Sequence, residues 1–118
     1  MKYLCLIYEN EKGWEQLPKE QADAVMGEYF AFTDGIKQSG QYVAGDALHP
    51  TQTATTVRVR NGDQLVTDGP YAETKEALGG LFILEAESID DACRLAAEIP
   101  AAERGAIEVR PVYVRGES

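Results

Sequence analysis

Residues 2–8 alternate between two sets, Tyr3/Cys5/Ile7 and Leu4/Leu6/Tyr8, and both sets are apolar. That pattern predicts a central strand buried on both faces. From Pro18 to Ser39 the period changes. Ala22, Val25, Tyr29, Phe32 and Ile36 recur every three or four residues, which predicts one long helix with a single apolar stripe. Pro18 suits its first turn and Gly40 its C-terminal cap. Tyr42-Val43-Ala44 reads as a short strand that leads into a loop ending at Pro50. Thr55 to Arg60, Asn61-Gly62 and Gln64 to Thr67 then spell a β-hairpin, because Asn-Gly supplies the positive φ angles of a tight turn. Leu81-Phe82-Ile83-Leu84 is a second doubly apolar strand. Ser88, able to accept a backbone N–H, opens a helix with Ile89, Ala92, Ala96 and Ile99 on one face, and Pro100 stops it. Ile107 to Val114 closes the chain as a strand, with Pro111 favouring an edge or a bulge.

The order strand, helix, strand, strand, strand, helix, strand predicts a ferredoxin-like α+β fold with an extra β-hairpin, one domain over residues 1–118. A chain of this length buries one core without disulfides or metals. Two helices cover only one face of the sheet, yet the strands at 2–8 and 81–84 are apolar on both. The uncovered face predicts a homodimer, the simplest cover being a second copy.

Composition narrows the partners. At 44% hydrophobic and 26% charged residues the chain is a soluble globular type rather than a disordered one. A net charge of −9 argues against nucleic acid, whose backbone needs a cationic surface. The apolar run at the start is ended by Glu9, too short for a secretory core or a membrane span, so the expected setting is the cytoplasm with no membrane partner. Cys5 and Cys93 show no CxxC spacing and are expected to be buried reduced thiols. With one histidine and no paired cysteine, no metal site is expected. No GxGxxG, P-loop or GxSxG run is present, so no cofactor is expected.

The chemistry-bearing residues concentrate in Asp68-Gly69-Pro70-Tyr71-Ala72-Glu73-Thr74-Lys75-Glu76, closed by Gly79-Gly80. A loop between strands has no packing reason to be so polar and so constrained at once. Asp68 is either a general acid or base (or ligand anchor), or a cap that accepts backbone N–H bonds in the following turn. His49, in Ala47-Leu48-His49-Pro50, is the only imidazole; it either meets Asp68 in an acid–base dyad or stays a half-exposed loop residue. Arg58 and Arg60 form either a solvent stripe on a half-buried hairpin or a carboxylate clamp at a cavity mouth. Tyr71 is a pocket wall or, more often for an aromatic after Gly-Pro, a core plug. Arg110 has the same choice as Arg58 and Arg60, with Glu108 spaced to hold it in a structural ion pair instead.

The signature loop, together with Leu48-His49-Pro50 and Glu108-Val109-Arg110-Pro111, resembles the YCII-related family in its DGPF branch, over nearly the whole chain. Tyr71 stands where that branch usually has Phe. The resemblance implies the dimeric α/β barrel superfamily, whose protomers pack sheet against sheet around or beside a cavity. It adds Glu73 and Lys75 to Arg58 and Tyr71 as candidate ligand contacts. Two functions follow from it. One is a cofactor-independent isomerase, lyase or hydrolase that acts on a small anionic metabolite through Asp68 and His49, as superfamily relatives such as muconolactone isomerases, dehalogenases and monooxygenases suggest by analogy. The other is a non-catalytic sensor or regulatory module, since genes of the branch often lie beside those of extracytoplasmic-function sigma factors.

Overall fold

A computed structural model describes residues 1–116; the last two positions of the expected domain, Glu117 and Ser118, lie outside the described residues. Six strands and three helices follow in the order β1 (Lys2–Glu9), α1 (Glu11–Glu15), α2 (Lys19–Gln38), β2 (Tyr42–Ala47), β3 (Thr55–Arg60), β4 (Asp63–Asp68), β5 (Ala77–Glu85), α3 (Ile89–Ala96) and β6 (Ala106–Pro111). Short 3-10 turns at Thr51–Thr53 and Pro100–Glu103 link them. Four strands form an antiparallel sheet in the order β2-β5-β1-β6, and β3-β4 is a separate two-stranded ribbon. This is the ferredoxin-like α+β arrangement with a hairpin inserted between its second and third strands.

The long helix stops where its cap residues dictate. The N–H of Gln41 bonds to the carbonyl of Ile36 at 2.9 Å and that of Gly40 to Lys37 at 3.2 Å, the paired bonds of a Schellman motif with Gly40 at φ 79°. At the start of α3 the Ser88 hydroxyl accepts from Asp91 N at 3.2 Å. α1, which no periodicity announced, is nucleated by Asn10, whose side chain accepts from Lys12 N at 3.0 Å. In the hairpin turn Asn61 and Gly62 sit at φ 52° and 82°, the pair of positive angles a two-residue turn requires.

The core lies between the sheet and α2 and α3. Tyr3, Cys5 and Ile7 of β1 and Phe82 and Leu84 of β5 face the helices, where Val25, Phe32, Ile36, Ala92, Ala96 and Ile99 close over them. Phe32 and Phe82 meet edge to face at 5.2 Å. Leu4, Leu6, Leu81 and Ile83 point to the opposite face, paired across the strands as Leu4↔Ile83 and Leu6↔Leu81, and stay half-buried because no helix covers them.

Four expectations need correction. Ile89 is 43% exposed rather than on the buried stripe, which Ala92, Ala96 and Ile99 form with Leu95 packed beside them. Cys93 is exposed; it follows Ala92 on the outward side of the turn, while Cys5 alone is buried. The hairpin is not half-buried: in β3 and β4 only Thr56 is partly covered, because the ribbon leaves the sheet instead of joining it. The final strand ends at Pro111, three residues before Val114, and Pro111 sits on edge strand β6.

Candidate functional site

Antiparallel pairing gathers the loops at one end of the sheet. The pairs Glu9↔Ala77, Tyr8↔Ala106 and Ala47↔Gly80 place the end of β1, the start of β5, the start of β6 and the end of β2 side by side. The α1 segment, the His49 loop, the hairpin root, the signature loop and the turn at Arg104-Gly105 therefore share that end. Residues far apart in sequence meet there by topology alone.

Asn10, Thr74, Lys75, Glu76 and Arg104 line an open cavity of about 620 Å³ at this end. The Thr74 hydroxyl donates to the carbonyl of Glu76, which closes the loop around Lys75. Beneath the cavity the Arg104 guanidinium lies 3.6 Å from the Glu9 carboxylate. Tyr29 of α2 is half-buried against the same pair. Burial, with Glu9 adding and Arg104 opposing, pushes its hydroxyl up to about 12. Lys75, by contrast, makes no ion pair or hydrogen bond among the described residues. Its ammonium is free to meet a ligand.

The signature loop begins at Asp68, the last residue of β4, opposite Thr55. Gly69, at φ 114°, turns the chain there; a side chain would be strained at that angle. Its N–H donates to Ala54 O at 2.7 Å, and Thr56 Oγ1 donates to Gly69 O at 2.9 Å. The turn is thus closed without the Asp68 carboxylate, which is exposed and accepts no hydrogen bond among the described residues. Tyr71 is not a core plug. Its ring is 79% exposed, and the Arg58 guanidinium lies over it 5.3 Å from the centroid, an outside partner that holds it against the hairpin. Glu73 is exposed on the same loop.

His49 stands at the same sheet end as Asp68, exposed, with no hydrogen bond or ion pair between them among the described residues. Its loop is fixed on both sides. Leu48 N donates to Gly79 O at 2.9 Å, and the Glu11 carboxylate accepts from both Thr51 N and Thr51 Oγ1 at 2.8 Å. Sequence reasoning missed Glu9, Asn10, Glu11, Tyr29 and Arg104. Asn10-Glu11 carried a local capping signal; Arg104 carried none, because only the β1–β6 pairing brings it to the cavity. Glu108 and Arg110 pair at 3.8 Å on exposed side chains, a contact of about 0–1 kcal/mol.

A second cavity, of about 760 Å³, opens at the other end of the sheet between Met1, Gln41, Glu85, Glu87 and Asp91. Arg94 and the Met1 ammonium also line it, paired with Asp91 and Glu85, and Glu87 and Glu98 add two further carboxylates. Among the described residues no group of three or more His, Cys, Asp or Glu side chains is placed to hold a metal ion, and no helix is long and apolar enough to cross a membrane.

The fold and the loop-bearing sheet end define a small ferredoxin-like α+β domain. Its sequence matches the YCII-related domain over residues 1–114, and the chain belongs to that family. It is similar to the uncharacterised protein R00369 of Rhizobium meliloti (strain 1021), 35% identical over 121 residues that cover 99% of this chain and 98% of the relative.

Proposed function

We propose that this chain is a small-molecule-binding protein of the DGPF branch, homodimeric and cytoplasmic, that takes a small organic anion at the loop-bearing end of its sheet. The observation that carries this reading is the free Lys75 ammonium beside the Arg104 guanidinium in one cavity of a chain whose net charge is −9. Glu76 shares the lining and Glu9 pairs with Arg104, so Lys75 is the cation of this cleft that the fold leaves without a partner and the group that receives a carboxylate. Arg104 supplies a planar fork already oriented by Glu9, and Lys75 supplies a mobile point charge. Asp68 and His49, with Arg58, Tyr71 and Glu73 around them, are the proposed acid–base and contact groups at the same end. The homodimer is supported by the half-buried leucines of the open sheet face, and the cytoplasm by two unpaired cysteines.

A second reading, a non-catalytic sensor or regulatory module, is favoured by the exposure of Asp68, since proton transfer gains from a site that excludes water. A thermal-shift and calorimetric screen of small mono- and dicarboxylates against wild type and Lys75→Ala tests the binding reading. Binding by wild type that weakens about tenfold or more in the variant supports it; a ligand bound equally by both places the site elsewhere. Turnover of a bound ligand, lost in Asp68→Asn, separates enzyme from sensor.

A further inference from the structure

We infer that the ligand of the Lys75 cavity is an amino acid, whose carboxylate meets Lys75 and whose ammonium meets Glu76. The inference rests on the reading of Lys75 as the group that receives a carboxylate. It goes further by giving the neighbouring side chain a role and the ligand a second charge.

The charges at this cavity fall into two kinds. Arg104 lies 3.6 Å from the Glu9 carboxylate, so that pair is compensated within the fold. Lys75 and Glu76, adjacent on the signature loop, are not. Both side chains are exposed, and neither makes an ion pair, with the other or with a third group, among the described residues. Thr74 does reach Glu76, but at its main-chain carbonyl, and the carboxylate is left open. The cavity therefore presents one unpaired charge of each sign.

The neutral groups of the lining match those two charges. Asn10 Oδ1 accepts from Lys12 N at 3.0 Å, which leaves the Nδ2 hydrogens to donate. Thr74 Oγ1 gives its hydrogen to the Glu76 carbonyl, which leaves its lone pairs to accept. A carboxylate thus finds an ammonium and an amide donor, and an ammonium finds a carboxylate and a hydroxyl acceptor. The backbone that presents these groups is set beforehand. Asn10 caps α1, Thr74 closes its own loop, and Arg104 N and Gly105 N bond to Ala101 O at 3.2 and 2.7 Å. Little main chain has to be ordered on binding.

Competing ligands satisfy half of the site and oppose the other half. A plain carboxylate pairs with Lys75 and meets the Glu76 carboxylate as a like charge. A plain amine pairs with Glu76 and meets Lys75 in the same way. A ligand with both charges avoids both penalties, so discrimination comes from repulsion as much as from attraction. At about 620 Å³ the cavity also has room for a side chain beyond the two charged groups.

The test is an NMR titration of wild type and Glu76→Gln with the common L-amino acids and, for each, the same acid without its amino group. The expected result is an amino acid that wild type binds about fivefold more tightly than its deaminated partner, the measure of one exposed ion pair. Glu76→Gln should erase that preference from both sides, weakening the amino acid and tightening the plain acid. Glu76 is exposed and outside the core, so the variant folds as wild type does. Plain acids that bind as tightly as their amino acids, or a preference that survives Glu76→Gln, overturn the inference and leave the carboxylate reading of Lys75 standing. Wild type that binds neither kind of acid overturns both.

Discussion

Leu84 and Leu65 are the same residue in two β-ribbons of one chain, and they live in different solvents. Leu84 is fully buried between the sheet and α2, whereas Leu65 is 47% exposed on the β3–β4 hairpin arm. Around Leu84 each neighbour is apolar and each backbone group has a partner strand on both sides. Around Leu65 the neighbours are Arg58, Thr67 and water. The body is held by its core; the arm is held by its turn and its root. What the fold does not use, function is free to use, and the candidate groups sit where the core contributes least.

The largest effect should come from cutting the same group in both places. Leu84→Ala removes a side chain with no room to relax and should cost about 2–5 kcal/mol. Leu65→Ala should cost less than about 1 kcal/mol, since much of that side chain is already in water. Urea denaturation of both variants checks this; equal losses would mean that the arm is packed in solution far more tightly than a lone protomer allows.

Next comes pH, which only the body should sense. Burial pushes the Cys5 thiol from 9.0 to about 11, with Cys93 adding to the rise. The folded state then keeps a proton that the unfolded chain gives up, so stability is intact below pH 9 and is lost as pH rises through 11. Tyr29, shifted from 10.0 to about 12 for the same reason, extends the loss upward. The denaturation midpoint should fall between pH 9 and 11, and the fall should shrink in Cys5→Ala. Iodoacetamide at pH 8 should label one thiol per native chain, Cys93. Two labels would show that the core around Cys5 opens more readily than its burial implies.

Smaller again is the tie that sets the His49 loop. Glu11→Ala deletes the acceptor of two 2.8 Å bonds from Thr51, and charge-assisted pairs of this kind contribute about 1–2 kcal/mol when partly exposed. The loss should be local. Amides 48–54 should exchange faster while those of β1 and β5 hold their rates, and a uniform change across the sheet would mean that α1 is part of the core after all.

The body was legible in the sequence because its physics is periodic. Period two marked β1 and β5, period 3.6 marked α2, and Asn61-Gly62 marked the hairpin turn, each a local consequence of which face meets the core. The loop end was legible only in part. Asp68 to Glu76 stood out by composition, but Arg104 and Glu9 reach Lys75 through strand order, which no short window contains. The arm misled for the opposite reason. Its Val57/Val59 alternation is the mark of a half-buried ribbon, but alternation sets which side chains share a face, not whether another element reaches that face.

The smallest stability change, and the sharpest division between body and loop end, is expected at Asp68. Its carboxylate accepts no hydrogen bond among the described residues, and the turn after it is held by Gly69 N to Ala54 O and by Thr56. Removing a charge that the fold leaves in water should move stability by no more than about 0.5 kcal/mol, so Asp68→Asn should melt like wild type. Had Asp68 been a cap, Asp68→Ala should cost about 1 kcal/mol more than Asn, which keeps an acceptor oxygen; without that role the two variants should melt alike. Function is the separate readout. An amide cannot exchange a proton, so an acid–base role predicts a loss of about a hundredfold in turnover with the melting temperature unmoved. A melting temperature that drops in both variants would return Asp68 to the fold, and the division between a body that is packed and a loop end that is kept for chemistry would have to be redrawn.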